Sequence, residues 1–291
     1  MTVQIENEFL IATIAEDGAE LVSLKSKKND LEYIWQGDPQ FWGRHAPVLF
    51  PFVGRLKDDQ YTYEDQTYQM GQHGFARDCL FEVIEQGAEL ASLSLKSNAE
   101  TKKIYPFDFE LVVSYELKDN QLAVRYQVEN TGDQEMLFSI GGHPAFNIPL
   151  EQNLTFEDYY LGFSPQKSRI QIPLVGPYAD FEHKTLGQTN TSLDLRRELF
   201  KNDAIIFETK GTNTFSIASD ESAHSISLSY TDMPFVGIWT PYDKEAPFVC
   251  IEPWCGIADG LNASGKLIDK IGINRLDAAA IFNTEYIITA K

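Results

Sequence analysis

Leu111, Val113 and Tyr115 alternate with Val112, Ser114 and Glu116, a period of two residues where a helix would show 3.6. Alternation of this kind sends successive side chains to opposite faces of an extended strand. No long amphipathic helical pattern competes with it anywhere in the chain. The pattern predicts an all-β protein, and because both faces of this segment carry some apolar groups, it predicts sheets packed as a large antiparallel β-sandwich.

The extended runs are short and end in turn chemistry. Runs at 9–14, 19–24 and 31–35 are bounded by Glu16-Asp17-Gly18, Lys28-Asn29-Asp30 and Gly37-Asp38-Pro39, the spacing of an antiparallel meander. Residues 61–70 alternate aromatic with polar around Glu64-Asp65-Gln66 and predict a hairpin. Further strands are expected at 81–84, 90–95, 107–117, 122–129, 136–140, 204–208, 214–218, 225–230, 235–239, 248–256 and 281–289. Residues 151–200 are the least regular, with one short helical turn expected near 195–200. No repeat, low-complexity tract or clear linker divides the chain, so 1–291 is expected to form a single domain.

Forty-three acidic side chains against 24 basic ones leave a formal charge of -19. Such a field repels nucleic acid and anionic membrane surfaces, so neither is an expected partner. A local cluster of arginine or lysine still acts over a Debye length of about 8 Å, and a small anion is not excluded. The three cysteines, Cys79, Cys250 and Cys255, form no paired zinc-binding pattern and read as reduced thiols. With no signal-like start at Met1–Glu6 and no apolar run of membrane-spanning length, the expectation is a soluble cytoplasmic protein.

Three titratable side chains stand at the ends of apolar runs beside Gly or Pro. His143 lies in Ser139-Ile140-Gly141-Gly142-His143-Pro144-Ala145-Phe146-Asn147-Ile148-Pro149, His73 precedes Gly74, and Glu252 follows Val249-Cys250-Ile251 and precedes Pro253-Trp254. Glycine adopts backbone angles closed to other residues and Pro144 holds His143 extended, so the imidazole is expected on a rigid mount. A carboxylate after an apolar run is costly to bury unpartnered and is expected to face a pocket. Imidazole and carboxylate together make a proton-transfer pair. Trp239, Trp254, Phe75 and Phe146 suit the apolar faces of a sugar ring, and Arg55, which closes the aromatic and proline-rich run 41–55, must be paired or face a polar pocket.

Plainer accounts stand beside these. Most of the 41–55 run, Trp42 included, reads equally well as core. His73 alone reads equally well as a hydrogen-bonded structural residue, and His45, His183 and His224 read better so. Glu252 is a candidate ion-pair partner for Arg55, and Arg77 with Asp78 could be a surface pair. His73, His143 and Glu252 match a zinc ligand set in type but lack its usual short spacing.

At these residues the chain resembles the aldose 1-epimerases, the galactose mutarotase family. The resemblance runs in order through Gly54-Arg55, His73-Gly74-Phe75-Ala76-Arg77, Gly141-Gly142-His143-Pro144-Ala145-Phe146-Asn147 and Ile251-Glu252-Pro253-Trp254. In detail it is most similar to the LacX-like bacterial subgroup. The resemblance implies a β-supersandwich with an open cleft and no metal or organic cofactor. It also implies His143 as the general acid toward a ring oxygen, Glu252 as the general base toward the anomeric hydroxyl, and Arg55, His73 and Asp203 as sugar-binding residues. Arg77 and Trp239 join them as substrate-binding candidates.

The reaction implied is interconversion of the α and β anomers of an aldohexose or a hexose 6-phosphate, by a monomer or homodimer whose partner is a small sugar. Lys57, Arg77, Lys102 and Lys103 lie near candidate loops but form no evident phosphate nest. Two other classes stay open at this stage. One is a carbohydrate-binding protein that has lost turnover. The other is a glycoside hydrolase, which would need Glu252 and Asp203 flanking the bond with His143 remote.

Overall fold

The computed structural model describes residues 1–291. Thr2–Glu6, Leu10–Ala15 and Leu21–Ser26 make a three-stranded antiparallel sheet. The longest strands, Phe109–Lys118, Gln121–Asn130 and Ile281–Ala290, lie at the centre of a nine-stranded antiparallel sheet. The strand Phe248–Cys255 is central to a second sheet of eight strands, between Phe235–Trp239 on one side and Ile140–Gly142 with Ala145–Asn147 on the other. Helix is confined to single turns, including Arg197–Phe200 where one was expected.

The two large sheets share one core. Leu111, Val113 and Tyr115 of the first meet Val236, Ile238, Val249 and Ile251 of the second in a cluster of 65 buried residues. Burial of that apolar surface is the main favourable term in such a sandwich. Val112, Ser114 and Glu116 lie half-buried on the opposite face. The strand turns one face to the core; on the other, Ser114 Oγ hydrogen-bonds Ser92 Oγ and Glu116 pairs with Arg125.

The eight-stranded sheet is covered on both sides. In Phe248–Cys255 every residue is buried: Val249 and Ile251 point to the core, while Cys250, Glu252 and Trp254 take the other face by the period of two. That second face is the floor of the candidate site.

The expected strand at 31–35 does not form. Tyr33 donates its N–H to Leu24, Trp35 donates to Ala145, and the Asn147 amide takes the carbonyls of Glu32 and Ile34. The segment divides its hydrogen bonds between two sheets and joins neither ladder. Within 151–200 the structure adds short strands not foreseen, among them Tyr160–Ser164 and Arg169–Ile172.

Candidate active site

Ile140 and Gly141 pair with Cys255 and Trp254; after a gap in the ladder, Ala145, Phe146 and Asn147 pair with Cys250, Val249 and Phe248. The register is the same on both sides of the gap. His143 therefore stands directly opposite Glu252, and their side chains meet: Nε2 to Oε2 is 3.1 Å, with 8% and 2% of the side chains exposed. Pro144 contributes no N–H to the ladder, and its carbonyl accepts from Ile251.

The glycines beside His143 serve a purpose other than the one expected. Neither has a positive φ. A Cβ on Gly141 would come within 2.7 Å of the Trp254 indole, and one on Gly142 within 2.8 Å of the Tyr286 ring. They are small because the neighbouring aromatic rings need the space. Positive φ appears instead at His73 and Gly74, 68° and 71°, where the chain folds back against Phe50.

That fold-back aims His73 at the same place. Its Nδ1 accepts from the Gly54 N–H at 3.1 Å, which leaves the proton of the neutral ring on Nε2, beside the Gln72 amide. The His73 and His143 rings meet edge to face at 5.5 Å. On its other sides the His143 imidazole stacks on the Trp42 indole, centroids 4.8 Å apart and 27° between planes, and lies nearly perpendicular to Trp239 at 5.7 Å.

These groups open on a cleft of about 620 Å³ lined also by Arg55, Arg77, Asp203, Lys201, Lys244 and Trp254, a volume in the usual range for small-ligand sites. His143, Glu252, Arg55, His73, Asp203, Arg77, Trp239 and Trp254 all line this one space, whereas Phe75 and Phe146, also read from sequence as suiting a sugar ring, pack in the main hydrophobic core. Arg55 pairs with Asp59 at 3.4 Å, which replaces the partnership with Glu252 considered from sequence. Asp203 sits at the rim on a residue of positive φ, its Oδ1 accepting from the Ala204 N–H. Lys102 and Lys103 pair with Asp108 and Glu100, and Lys57 donates to the Leu261 carbonyl. None of the three lines the cleft.

Burial sets the protonation of the floor. It pushes the His143 imidazolium down to about 3, with Arg77 and Arg44 adding to the shift and its own backbone opposing it. It pushes the Glu252 carboxyl well above the usual carboxylate range, helped by Asp203 and opposed by the Trp254 side chain. His73 is likewise held neutral, by burial first and by His143, Arg77, Arg44 and Arg55 after it. Both members of the central pair favour their uncharged forms, with one proton between them.

Two alternatives lose their basis here. The hydrolase reading needed His143 far from Glu252, and the two are in contact. The zinc triad with His73 is not assembled; ligand atoms of His143, Cys250 and Glu252 approach within 4.8 Å instead. Burial holds the Cys250 thiol well above its ordinary value, and His143 Nε2 is already engaged by Glu252, so this donor set does not fit a resident cation. A second cavity of about 360 Å³ contains Asp259 and Lys270. Their ion pair of 2.8 Å is buried and mutually satisfied, and none of the sequence-selected site residues faces it.

The family model for aldose 1-epimerase matches residues 1–268. This chain belongs to the aldose 1-epimerase family. It is 34% identical over 286 residues, 95% of each chain, to the plasmid-encoded protein LacX of Lactococcus lactis subsp. lactis. The solved structure of a galactose mutarotase related enzyme from Lactobacillus acidophilus is 43% identical, with a TM-score of 0.99 over 100% of this chain and 97% of that one. A galactose mutarotase-like protein from Lactobacillus casei is 36% identical, with a TM-score of 0.91 and complete coverage of both chains. As a member of the aldose 1-epimerases the protein is an isomerase of the mutarotase type on a β-sandwich. No helix of the protein is long and apolar enough to cross a membrane.

Sequence reasoning passed over several groups that line the cleft: Trp42, Gln72, Lys201, Tyr242, Asp243 and Lys244. All lie outside regular strands, on segments whose placement depends on distant packing. Trp42, in a dense aromatic run, carried no signal that separates it from core.

Proposed function

We propose that this protein interconverts the α and β anomers of an aldohexose or its 6-phosphate, with His143 as general acid and Glu252 as general base. The observation that carries this reading is the direct, buried contact of 3.1 Å between His143 Nε2 and Glu252 Oε2 on the floor of an open cleft. The ring oxygen O5 and the hydroxyl oxygen O1 are bonded to the same carbon, so two proton carriers must also stand side by side. Strand register supplies that spacing.

When O1–H docks on Glu252, it stabilises the carboxylate and the shared proton moves to His143. His143 then protonates O5 as the C1–O5 bond breaks, while Glu252 takes the proton from O1. The products are the open aldehyde, a neutral imidazole and a neutral carboxylic acid. This is the form of the pair that burial favours, so the dry floor stabilises the ring-opened state relative to the closed sugar. Rotation about C1–C2 and the reverse transfers yield the other anomer, and no net charge changes at any step.

Arg55, His73, Asp203 and Trp239 hold the sugar in this reading. The phosphorylated variant draws on Arg77, Lys201 and Lys244, which line the cleft although the chain carries a charge of -19. The residues that line the cleft extend from Phe41 to Ala258, which supports 1–291 acting as one domain. A cytoplasmic location and a monomeric or homodimeric state complete the reading.

The test follows the α-to-β relaxation of freshly dissolved galactose, glucose and their 6-phosphates by polarimetry or NMR. The expected result is acceleration of one or more relaxations that His143→Ala and Glu252→Ala each abolish. Relaxation at the buffer rate for every sugar, with binding retained, would instead make the protein a carbohydrate-binding module.

A further inference from the structure

We infer that Trp42 is a positioning residue for the proton transfer: its indole face orients the His143 imidazole and stabilises the cation that this ring becomes while it carries the proton. The inference rests on His143 being a proton carrier, as proposed above.

Three observations support it. The first is the stacked geometry, 4.8 Å between centroids at 27°. It lies within the approximately 6 Å over which an aromatic face attracts a cation, and of the three rings around His143 only Trp42 is stacked on it, since Trp239 and His73 lie nearly perpendicular at 82° and 87°.

The second is that Trp42 is itself held in place. Its N–H donates to the Asp38 carbonyl, its own carbonyl accepts from the Trp35 indole at 2.8 Å, and the preceding Phe41 carbonyl accepts from Lys244 Nζ. Its ring packs on Trp239 and Phe248. A loop that only closed the cleft would not need its backbone tied at three points.

The third is electrostatic need. Of the charged and titratable groups around His143, Arg77, Arg44 and the neutral His73 do not favour an imidazolium, and Glu252 favours it only when ionised. The Trp42 quadrupole favours the cation in every state of the carboxyl. It offsets part of the burial that otherwise keeps the proton on Glu252.

The experiment compares Trp42→Phe, which keeps a ring face, with Trp42→Leu, which keeps only apolar bulk. Trp42→Phe should stay within about threefold of wild type in kcat, while Trp42→Leu loses about ten- to thirtyfold at nearly constant KM. In the uncomplexed protein the acid titration that turns the His143 ¹⁵N resonances to their imidazolium values should move to lower pH in Trp42→Leu than in wild type. A rise in KM with kcat preserved would make Trp42 a wall that stacks on the sugar and overturn the inference. Equal losses in both variants, or an unmoved ¹⁵N titration in Trp42→Leu, would overturn it too. Should Trp42→Leu not fold, Trp42→Phe alone decides, because a smaller quadrupole must still move the titration in the same direction. His143→Asn with full activity would sink the acid–base reading itself, and the ¹⁵N comparison would still report whether the indole acts on the imidazole.

Discussion

His143 and Glu252 face each other across two antiparallel strands at the one place where the ladder between those strands lapses. The backbone hydrogen bonds on either side hold the register, and the gap leaves the two side chains to bond with each other. Because they act on the same proton, they act as a unit. His143→Asn and Glu252→Gln should each lower kcat by about 10² to 10⁴, and the double variant should be no worse than the worse single one. Multiplicative losses in the double variant, measured by anomer relaxation, would mean that the two groups work independently.

The pH profile follows from burial. With the imidazolium of His143 pushed down to about 3 and the Glu252 carboxyl raised, the pair keeps its single proton across neutral pH. Activity should be flat through pH 6 to 7, where a free histidine titrates at about 6.5, and should fall in acid only as the pH approaches about 3. An acid limb near the ordinary histidine value would show that substrate-free His143 is solvated.

Stability responds to the same groups with opposite signs. A carboxyl whose folded pKa lies above its ordinary 4.5 stabilises the fold below that value, and the contribution is lost as pH rises through the folded pKa. His143, with its folded pKa depressed, costs stability as pH falls from 6.5 toward about 3. Glu252→Gln removes the first effect and keeps the hydrogen-bonding shape. It should therefore raise Tm at neutral pH by roughly 2–4 °C for each kcal/mol relieved, in an inactive protein. A Tm below wild type at neutral pH would show the carboxyl to be a net stabiliser of the fold.

Gly237 lies between Ile206 and Glu252 in the row of residues that crosses the sheet to His143. A Cβ there would approach the Trp254 ring to 2.5 Å, and a packed indole has little room to give. Gly237→Ala should displace Trp254 into the cleft and raise KM about tenfold or more, with a smaller change in kcat. An unchanged KM would place the sugar away from Trp254.

Arg77 has one donor already given to the Gln72 carbonyl at 2.6 Å, and its Nε makes no hydrogen bond, lying 4.0 Å from Asp78 Oδ2 in the weak ion pair considered from sequence. If the 6-phosphate is a substrate, Arg77→Gln should raise its KM by about ten- to a hundredfold, the scale of a hydrogen bond to a charged group, and leave a free hexose nearly unaffected. Equal effects on both sugars would assign Arg77 to the hexose ring or to the fold.

Fold class was legible because one-faced strands write their period into sequence, as 111–117 does, and because turns at Glu64-Asp65 and Asn130-Thr131-Gly132-Asp133 carry their own chemistry. The strand 248–255 was found but not its two-sided burial, since a continuous apolar run does not say which face is which. His143 and Glu252 stood out because a titratable group beside Gly or Pro in an apolar run is costly unless a pocket receives it. Trp42 did not, because an aromatic residue costs nothing to bury and its partner lies a hundred residues away. Segment 31–35 misled for a related reason: its apolar run bounded by turn residues reads as a strand, but its hydrogen-bond partners lie in two different sheets.

The uninterrupted register around the gap at His143 also bears on how the protein acquires activity. A one-residue slip of either strand would turn its whole set of side chains to the other face, carrying His143 or Glu252 into the core and the other with no counterpart. Turnover is therefore a reporter of correct strand docking between segments about a hundred residues apart, and during refolding it should return together with that long-range pairing and not in stages.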